Sequence, residues 1–363
     1  MKMKHFDILF TGYLHGFGGA EKSMIRAANA LAERGFKVAI LTFDVDSDKF
    51  GIDSRVSKYF ISINHKSGIK RYWEHIKKIK DFLGDVHADL VMHFWFMPSV
   101  FFQFFARRYK FKNYYSERGD PGDKEYGGVI GVIRNWLLPQ MDGFVFQTRG
   151  ARDYFDQKII MRSVVIPNPV YIKAEDYVLP TVRRKVIASV GRLSEQKNFR
   201  LLIDGFAKVA DKYPDYVVHI YGEGDLRDEL QAQIDSKGLH DRIILKGVTT
   251  KVFDCIVDCT VFILSSLFEG MPNALMEAMA LGIPSVSVDC PPGGPAELVE
   301  IGKNGLLCKN NDADDLADKL DYMLTHPKEA EIMGRNAKNI CYTHSTSVIF
   351  DKWSEFVEKE LCK

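Results

Sequence analysis

Two Rossmann-like α/β domains facing each other across a cleft are what this chain predicts, on three observations. At 363 residues it is too long for one ordinary core and suits two domains of similar size. Apolar strand-like runs alternate with amphipathic helical runs from end to end, the pattern of parallel sheets flanked by helices. A glycine-bearing loop follows the first strand-like run of each half, and the series restarts after a proline-bearing segment.

In the first half the strand runs are FDILFTG (6–12), KVAILTF (37–43), ADLVMHFWF (88–96), KNYYSE (112–117) and DGFVFQT (142–148). In the second they are RKVIASVGRL (184–193), YVVHIYGEG (216–224), RIILKGV (242–248), CTVFILSS (259–266) and PSVSVD (284–289). Between the series, IPNPVYIKAEDYVLPTVRR (166–184) has three prolines and no clear period, as a hinge or linker does. The expected domains are 1–172 and 183–344. On its periodicity alone, the final helix, SVIFDKWSEFVEKEL (347–361), could pack on either. Such folds bind ligands at the carboxyl ends of their strands.

Composition narrows the function. Hydrophobic residues at 46% and charged residues at 27% are those of a soluble globular protein. A net charge of +1 gives no global case for nucleic acid. No uncharged apolar run reaches the roughly 18 residues that span a bilayer. The opening MKMKHFDILFTGYLHGFGGAEK holds Asp7 and gives way to glycines, so it reads as a first strand and its loop rather than a signal peptide. Cysteines 255, 259, 290, 308, 341 and 362 form no C-x-x-C pair and read as reduced thiols of a cytosolic protein. Cys255 and Cys259, four apart on an expected helix end, are a weak metal signal without nearby histidines. DVDSDKFGID (44–53) looks calcium-like, but Lys49 and Arg55 stand where the loop glycine and closing glutamate belong. Its D-x-D reads as part of a solvated loop.

Three loops carry candidate chemistry. GYLHGFGGAEKS (12–23) lacks the G-x-G-x-x-G spacing, yet Gly18 and Gly19 let amides approach a ligand where a helix begins near Ala20. SVGRLSEQKNF (189–199) places Arg192 and Lys197 between a strand and a helix, where two cations can converge on a diphosphate. SSLFEGMPNALMEAMALGIPSV (265–286) sets Glu269 and Glu277 around a turn, with a helix that either Pro272 opens or Asn273 caps. Acids flanking an anion site are poorly placed for proton transfer and well suited to sugar hydroxyls. One of them could also merely cap the helix or pair with a nearby cation.

IPNPV, SVGRLSEQKN, IYGEGDLRDEL, the Glu269–Glu277 stretch, GGPAELV and NGLLC together resemble a retaining glycosyltransferase of family 4 (group 1), with the B-type fold. The resemblance covers essentially the whole chain and is more specific in its second half. It implies that Arg192 and Lys197 hold the diphosphate of a nucleoside-diphosphate sugar donor, Glu277 the ribose and Glu269 the transferred sugar. It implies that the amides of Gly270, Met271, Asn273, Ala274 and Leu275 line sugar and phosphate, with Gly18 and Gly19 closing over the diphosphate. The donor is expected in the C-terminal domain and the acceptor in the N-terminal one, with no metal. The last helix, from about 345, is expected to cross back to the N-terminal domain. YYSERGDP (114–121) puts Glu117 and Arg118 where many members carry a histidine, so Glu117 is either an acceptor or sugar ligand or a strand-end structural acid. UDP is the expected nucleotide, and a hexose or N-acetylhexosamine the expected sugar.

Two other readings compete: a glycoside hydrolase using Glu269 and Glu277, and a non-catalytic nucleotide-sugar-binding protein. Lys66–Lys112 carries ten basic residues with Trp73, Phe101, Phe102, Phe104 and Phe105 interleaved. This segment either docks on an anionic membrane where a lipid-linked acceptor waits, or is a solvated helix face over an aromatic core. The implied location is cytoplasmic, with peripheral attachment to the inner membrane face on the first alternative.

Overall fold

The computed structural model describes residues 3–14, 19–43, 51–64, 68–123 and 126–362. The chain divides into two units, one running to Asn168 and resuming at Ile349, the other Pro169–Val348. The division falls inside the proline-bearing segment 166–184.

In the first unit, β1 (Lys4–Tyr13), β2 (Val38–Phe43), β3 (Ser57–Ile61), β4 (Val86–His93), β5 (Lys112–Glu117), β6 (Gly143–Phe146) and β7 (Ser163–Val165) form one sheet. Its order is β3-β2-β1-β4-β5-β6-β7, and every pairing is parallel. The helices are α1 (Gly19–Glu33), α2 (Ile69–Asp85), α3 (Phe96–Tyr109), α4 (Gly128–Leu137), α5 (Arg149–Asp153) and α6 (Gln157–Ile160). Strands covered on both faces must be apolar throughout, and β2, VAILTF, is buried at every residue. In α1, Met24, Ile25, Ala28 and Leu31 recur at helical spacing and face the sheet.

The second unit repeats the plan. Its strands are β8 (Arg184–Val190), β9 (Val217–Tyr221), β10 (Ile243–Gly247), β11 (Cys259–Leu264), β12 (Ser285–Asp289) and β13 (Leu306–Lys309). They run parallel in the order β10-β9-β8-β11-β12-β13. Its helices are α7 (Phe199–Val209), α8 (Arg227–Ser236), α9 (Val252–Ile256), α10 (Asn273–Ala280), α11 (Gly294–Leu298), α12 (Ala313–Thr325), α13 (Pro327–Ala337) and α14 (Ile340–Thr343).

The last helix, α15 (Thr346–Leu361), packs on the first unit. Ile349, Phe350, Trp353, Phe356 and Val357 form one stripe buried in the core that holds Phe10, Phe94 and Tyr114. Trp353 lies 6.2 Å from the Phe10 ring and 6.3 Å from Phe94. Each such side chain contributes about 1.5–3 kcal/mol by leaving water.

Three strands went unforeseen: β3, β7 and β13, of five, three and four residues. They are short edge strands, and β3 (SKYFI) buries only Ile61 fully. The expected 88–96 strand ends at His93, and 142–148 narrows to Gly143–Phe146. Cys255 and Cys259 lie on different elements, α9 and β11, and all six thiols are free. Burial pushes the Cys259 and Cys308 thiols up to about 12, which makes them poor thiolate ligands. The acidic run 44–50 lies outside the described residues, and Asp53 at its end pairs with Arg55 at 2.8 Å. Among the described residues no helix is long and apolar enough to cross a membrane.

Candidate functional site

Both sheets change direction of growth at an inner pair of strands, β1/β4 and β8/β11, and such switch points open a crevice beyond the carboxyl ends. In the second unit the loops leaving β8 and β11 are 191–198 and 265–272. Glycines bring the surrounding backbone into direct apposition. A Cβ on Gly222, at φ +146°, would stand 1.8 Å from the Gly191 carbonyl oxygen, and one on Gly294 would stand 1.9 Å from that of Gly270.

Lys197 lays its stem against Gly191 and pairs its ammonium with Oε1 of Glu269. The same oxygen accepts the Ser266 hydroxyl at 2.7 Å, and the Glu269 N–H donates to the Pro291 carbonyl at 2.8 Å. Ser265 Oγ donates to the Lys197 carbonyl at 2.9 Å and Gln196 Nε2 to that of Phe268 at 3.1 Å, lacing the two loops together. Arg192 is exposed on the first loop, and no hydrogen-bond or ion-pair partner for its guanidinium occurs among the described residues.

Asn273 is the first helical residue of α10 and Pro272 takes the extended cap position, so neither expected start holds: Pro272 caps rather than opens the helix, and Asn273 opens rather than caps it. Leu275, Met276 and Met279 anchor the helix in the core, whereas Asn273, Ala274 and Glu277 are half-buried. The amides of its first turn have no intrahelical acceptor and favour an anion. Gly270 and Met271 are buried in the preceding turn. The arrangement is therefore one guarded carboxylate, two cations and a helix terminus. Oε1 of Glu269 already accepts from an ammonium and a hydroxyl, so the pair does not favour a hydrolytic general acid.

The first unit has a different site. Gly12, the last residue but one of β1, lies beneath Trp95, whose ring carbons would lie 2.2 Å and 2.4 Å from a Cβ there. Trp95 in turn walls a cavity of about 370 Å³ with Tyr13, Phe96, Glu117, Arg118 and Tyr126. Glu117 is buried, and its Oε1 accepts the N–H groups of Arg118 and Gly119 at 3.0 Å each. Oε2 accepts the Tyr115 hydroxyl at 2.9 Å. Burial pushes the Glu117 carboxyl upward against these hydrogen bonds. Beneath the site, His93 Nε2 donates to Asn113 Oδ1 at 2.5 Å, and Nδ1 therefore accepts the Thr11 hydroxyl at 2.5 Å. Burial lowers His93 to about 3, so it is neutral.

Gly19 is the first residue of α1 and exposed, while Gly18 lies outside the described residues. The aromatic residues of 66–112 divide between two roles. Phe101, Phe102 and Phe105 are core, whereas Trp73 and Phe104 are exposed at 64% and 65%. Missed from the sequence was α4, GVIGVIRNWL, on which Val129, Val132 and Trp136 are all at least 65% exposed. An apolar run that long reads as core, and only the packing reveals its solvent face. His5, His87 and Asp89 place ligand atoms within 4.8 Å of one another, but at the amino ends of β1 and β4, away from the cavity.

Two family models match this chain. One described as Glycosyl transferases group 1 matches residues 177–340, and one described as Glycosyltransferase Family 4 matches residues 17–173. The chain belongs to the group 1, family 4 glycosyltransferases. This glycosyltransferase is 25% identical over 97% of its length, and 99% of the other's, to a Haemophilus influenzae glycosyltransferase. It is 32% identical over 43% of its length to the Campylobacter jejuni N-acetylgalactosamine-N,N'-diacetylbacillosaminyl-diphospho-undecaprenol 4-alpha-N-acetylgalactosaminyltransferase, of which it covers 42%. Anabaena Alr3699/HepE in complex with UDP has the same fold, with a TM-score of 0.82 at 20% identity over 99% of this chain and all of that one.

Proposed function

We propose that this glycosyltransferase moves a hexose or N-acetylhexosamine from a UDP-linked donor to a hydroxyl of a glycan or lipid-linked acceptor, with retention of anomeric configuration and without a metal, in cell-surface polysaccharide or glycan assembly. The observation that carries the reading is the Lys197–Glu269 pair, with Arg192 on the same loop and its guanidinium without a partner among the described residues, at the carboxyl ends of β8 and β11. The UDP in the Anabaena structure and the undecaprenol-linked acceptor named for the Campylobacter relative support the donor and acceptor classes.

On this reading the second unit holds the donor and the first the acceptor. Arg192, Lys197 and the amides from Gly270 to Leu275 neutralise charge building on the departing diphosphate. Glu277 accepts from the ribose hydroxyls and Glu269 from the transferred sugar. The acceptor hydroxyl attacks from the face the phosphate leaves and gives its proton to a phosphate oxygen, so no protein nucleophile is needed. Glu117 borders the acceptor cavity and fixes the turn that presents Arg118. Transfer measured with purified donor and acceptor is expected to fall roughly a hundredfold or more in Arg192→Ala or Lys197→Ala. Near-normal rates in both would overturn the assignment, and tight donor binding without transfer to any acceptor would favour a binding protein.

The membrane supplies the setting. Ile69, Tyr72 and Trp73 of α2, Phe104 of α3 and the apolar face of α4 are exposed, among Lys77, Lys80, Arg107 and Arg108. Tyr72 meets Phe101 of α3, and Gln103 of α3 donates to the Gln140 carbonyl just beyond α4, so the three helices adjoin. Apolar rings ringed by cations fit an anionic bilayer surface and support peripheral attachment, for which the cytoplasmic face is the proposed side. Flotation with anionic vesicles should fail for Trp73→Ala/Trp136→Ala and weaken with salt. Flotation unaffected by either change would refute docking.

A further inference from the structure

Arg118 is placed as few surface arginines are. Its guanidinium lies 4.6 Å from the Phe94 ring centre and 5.5 Å from that of Trp353. Nε and Nη2 are buried and have no hydrogen-bond partner. No carboxylate comes within ion-pair distance among the described residues. The nearest in sequence, Glu117, turns both oxygens onto its own strand end and Tyr115. Burial lowers the Arg118 guanidinium to about 9, since little nearby offsets its desolvation. Aromatic faces hold the planar group but supply no acceptors for its N–H groups. A buried donor left unmade is costly, so such an arrangement calls for an acceptor brought from outside.

The cavity beside it offers the place. At about 370 Å³ it lies at the small end of ligand pockets, room for about one sugar unit, and Tyr13, Trp95, Phe96 and Tyr126 wall it. We propose that Arg118 receives a singly charged anionic group on the acceptor, a sugar carboxylate or a phosphodiester, in this cavity at the carboxyl ends of β1, β4 and β5. The fork of the guanidinium matches two oxygens of either group. Among the described residues Arg118 is the only cation lining the cavity, and it sets the charge. A dianion would leave one negative charge uncompensated beside the Glu117 carboxylate and among aromatic walls.

The assignment of the anion to an acceptor rests on the first unit binding the acceptor, so the test separates anion binding from transfer. Isothermal titration of the full chain with glucuronate, glucuronate methyl ester, glycerophosphoglycerol and glucose reads the site without any donor. Wild type should bind glucuronate or glycerophosphoglycerol, and the tighter of the two names the source of the charge. The neutral ester and glucose should bind at least about tenfold more weakly, the scale of losing a charge-assisted hydrogen bond. Arg118→Gln should lose the same factor while keeping its UDP affinity, and Arg118→Lys should recover only part of it. Equal affinity for charged and neutral sugars in wild type, or unchanged anion binding in a folded Arg118 variant, would overturn the proposal. The first comparison needs no variant to fold. Anion binding that persists while no donor supports transfer would instead sink the transferase reading of the cavity.

Discussion

Glu269→Gln should tighten the binding of UDP while slowing sugar transfer. In the free protein the Lys197 ammonium is engaged by Glu269, with the two side chains 19% and 8% exposed. A diphosphate must therefore share that ammonium with a carboxylate or draw it away. Two unit charges at about 4 Å interact by about 4 kcal/mol at an effective dielectric of 20, while fully exposed pairs contribute under about 1 kcal/mol. This pair lies between those limits, so about 1–2 kcal/mol of competition is relieved when the carboxylate becomes an amide. That corresponds to roughly five- to thirtyfold tighter UDP by titration calorimetry. Lys197→Met should weaken UDP, and Glu269→Gln added to it should give no further gain, because the ammonium that was competed for is gone. Transfer in Glu269→Gln should still fall about a hundredfold, since the sugar loses the charge of its acceptor. Unchanged or weaker UDP binding by a folded Glu269→Gln, or the same gain in the Lys197→Met background, would refute the reasoning.

Other outcomes follow from packing and titration. His93 has its folded value near 3 against about 6.5 in an unfolded chain, so the unfolded state binds the extra proton between those limits. Stability should fall as pH drops through that window, by about 2 kcal/mol at pH 5, and urea midpoints for His93→Gln should lose that part of the pH dependence. Gly294→Ala drives a methyl into the Gly270 carbonyl, so about 1–3 kcal/mol of stability and much of the UDP affinity should go, read by thermal melting and calorimetry. Trp353→Ala should cost about 3–5 kcal/mol in the melting of the first unit, by emptying the space between Phe10, Phe94 and Phe356.

Much of this was legible because parallel strands buried on both faces must be apolar runs, and β2, β6 and β11 are such runs. Arg192, Lys197 and Glu269 could be singled out because polar residues in glycine-bearing loops at strand ends have few structural reasons to be there. That one of the acids could pair with a cation was legible, but not that Glu269 would meet Lys197, which is 72 residues away. The aromatic cluster of α3 shows the same limit. Helical period alone does not say whether Phe104 or Phe105 faces the sheet, and the packing puts Phe105 inside. Arg118 depends on Trp353, carried by α15 from the far end of the chain. Edge strands β3 and β7 escaped because a half-buried edge needs neither length nor continuous apolarity.

The return of α15 to the first unit has a consequence for how the protein is made. Synthesis proceeds from the amino end, so Phe10 and Phe94 wait for Trp353 while the roughly 180 residues of the second unit emerge from the ribosome. At about 5–20 residues per second that wait is on the order of ten to forty seconds. During it the nascent first unit shows water an aromatic groove shaped for a helix that does not yet exist. A chaperone acting on this chain has that groove to shield, and the second unit, already whole, can fold before the first is finished.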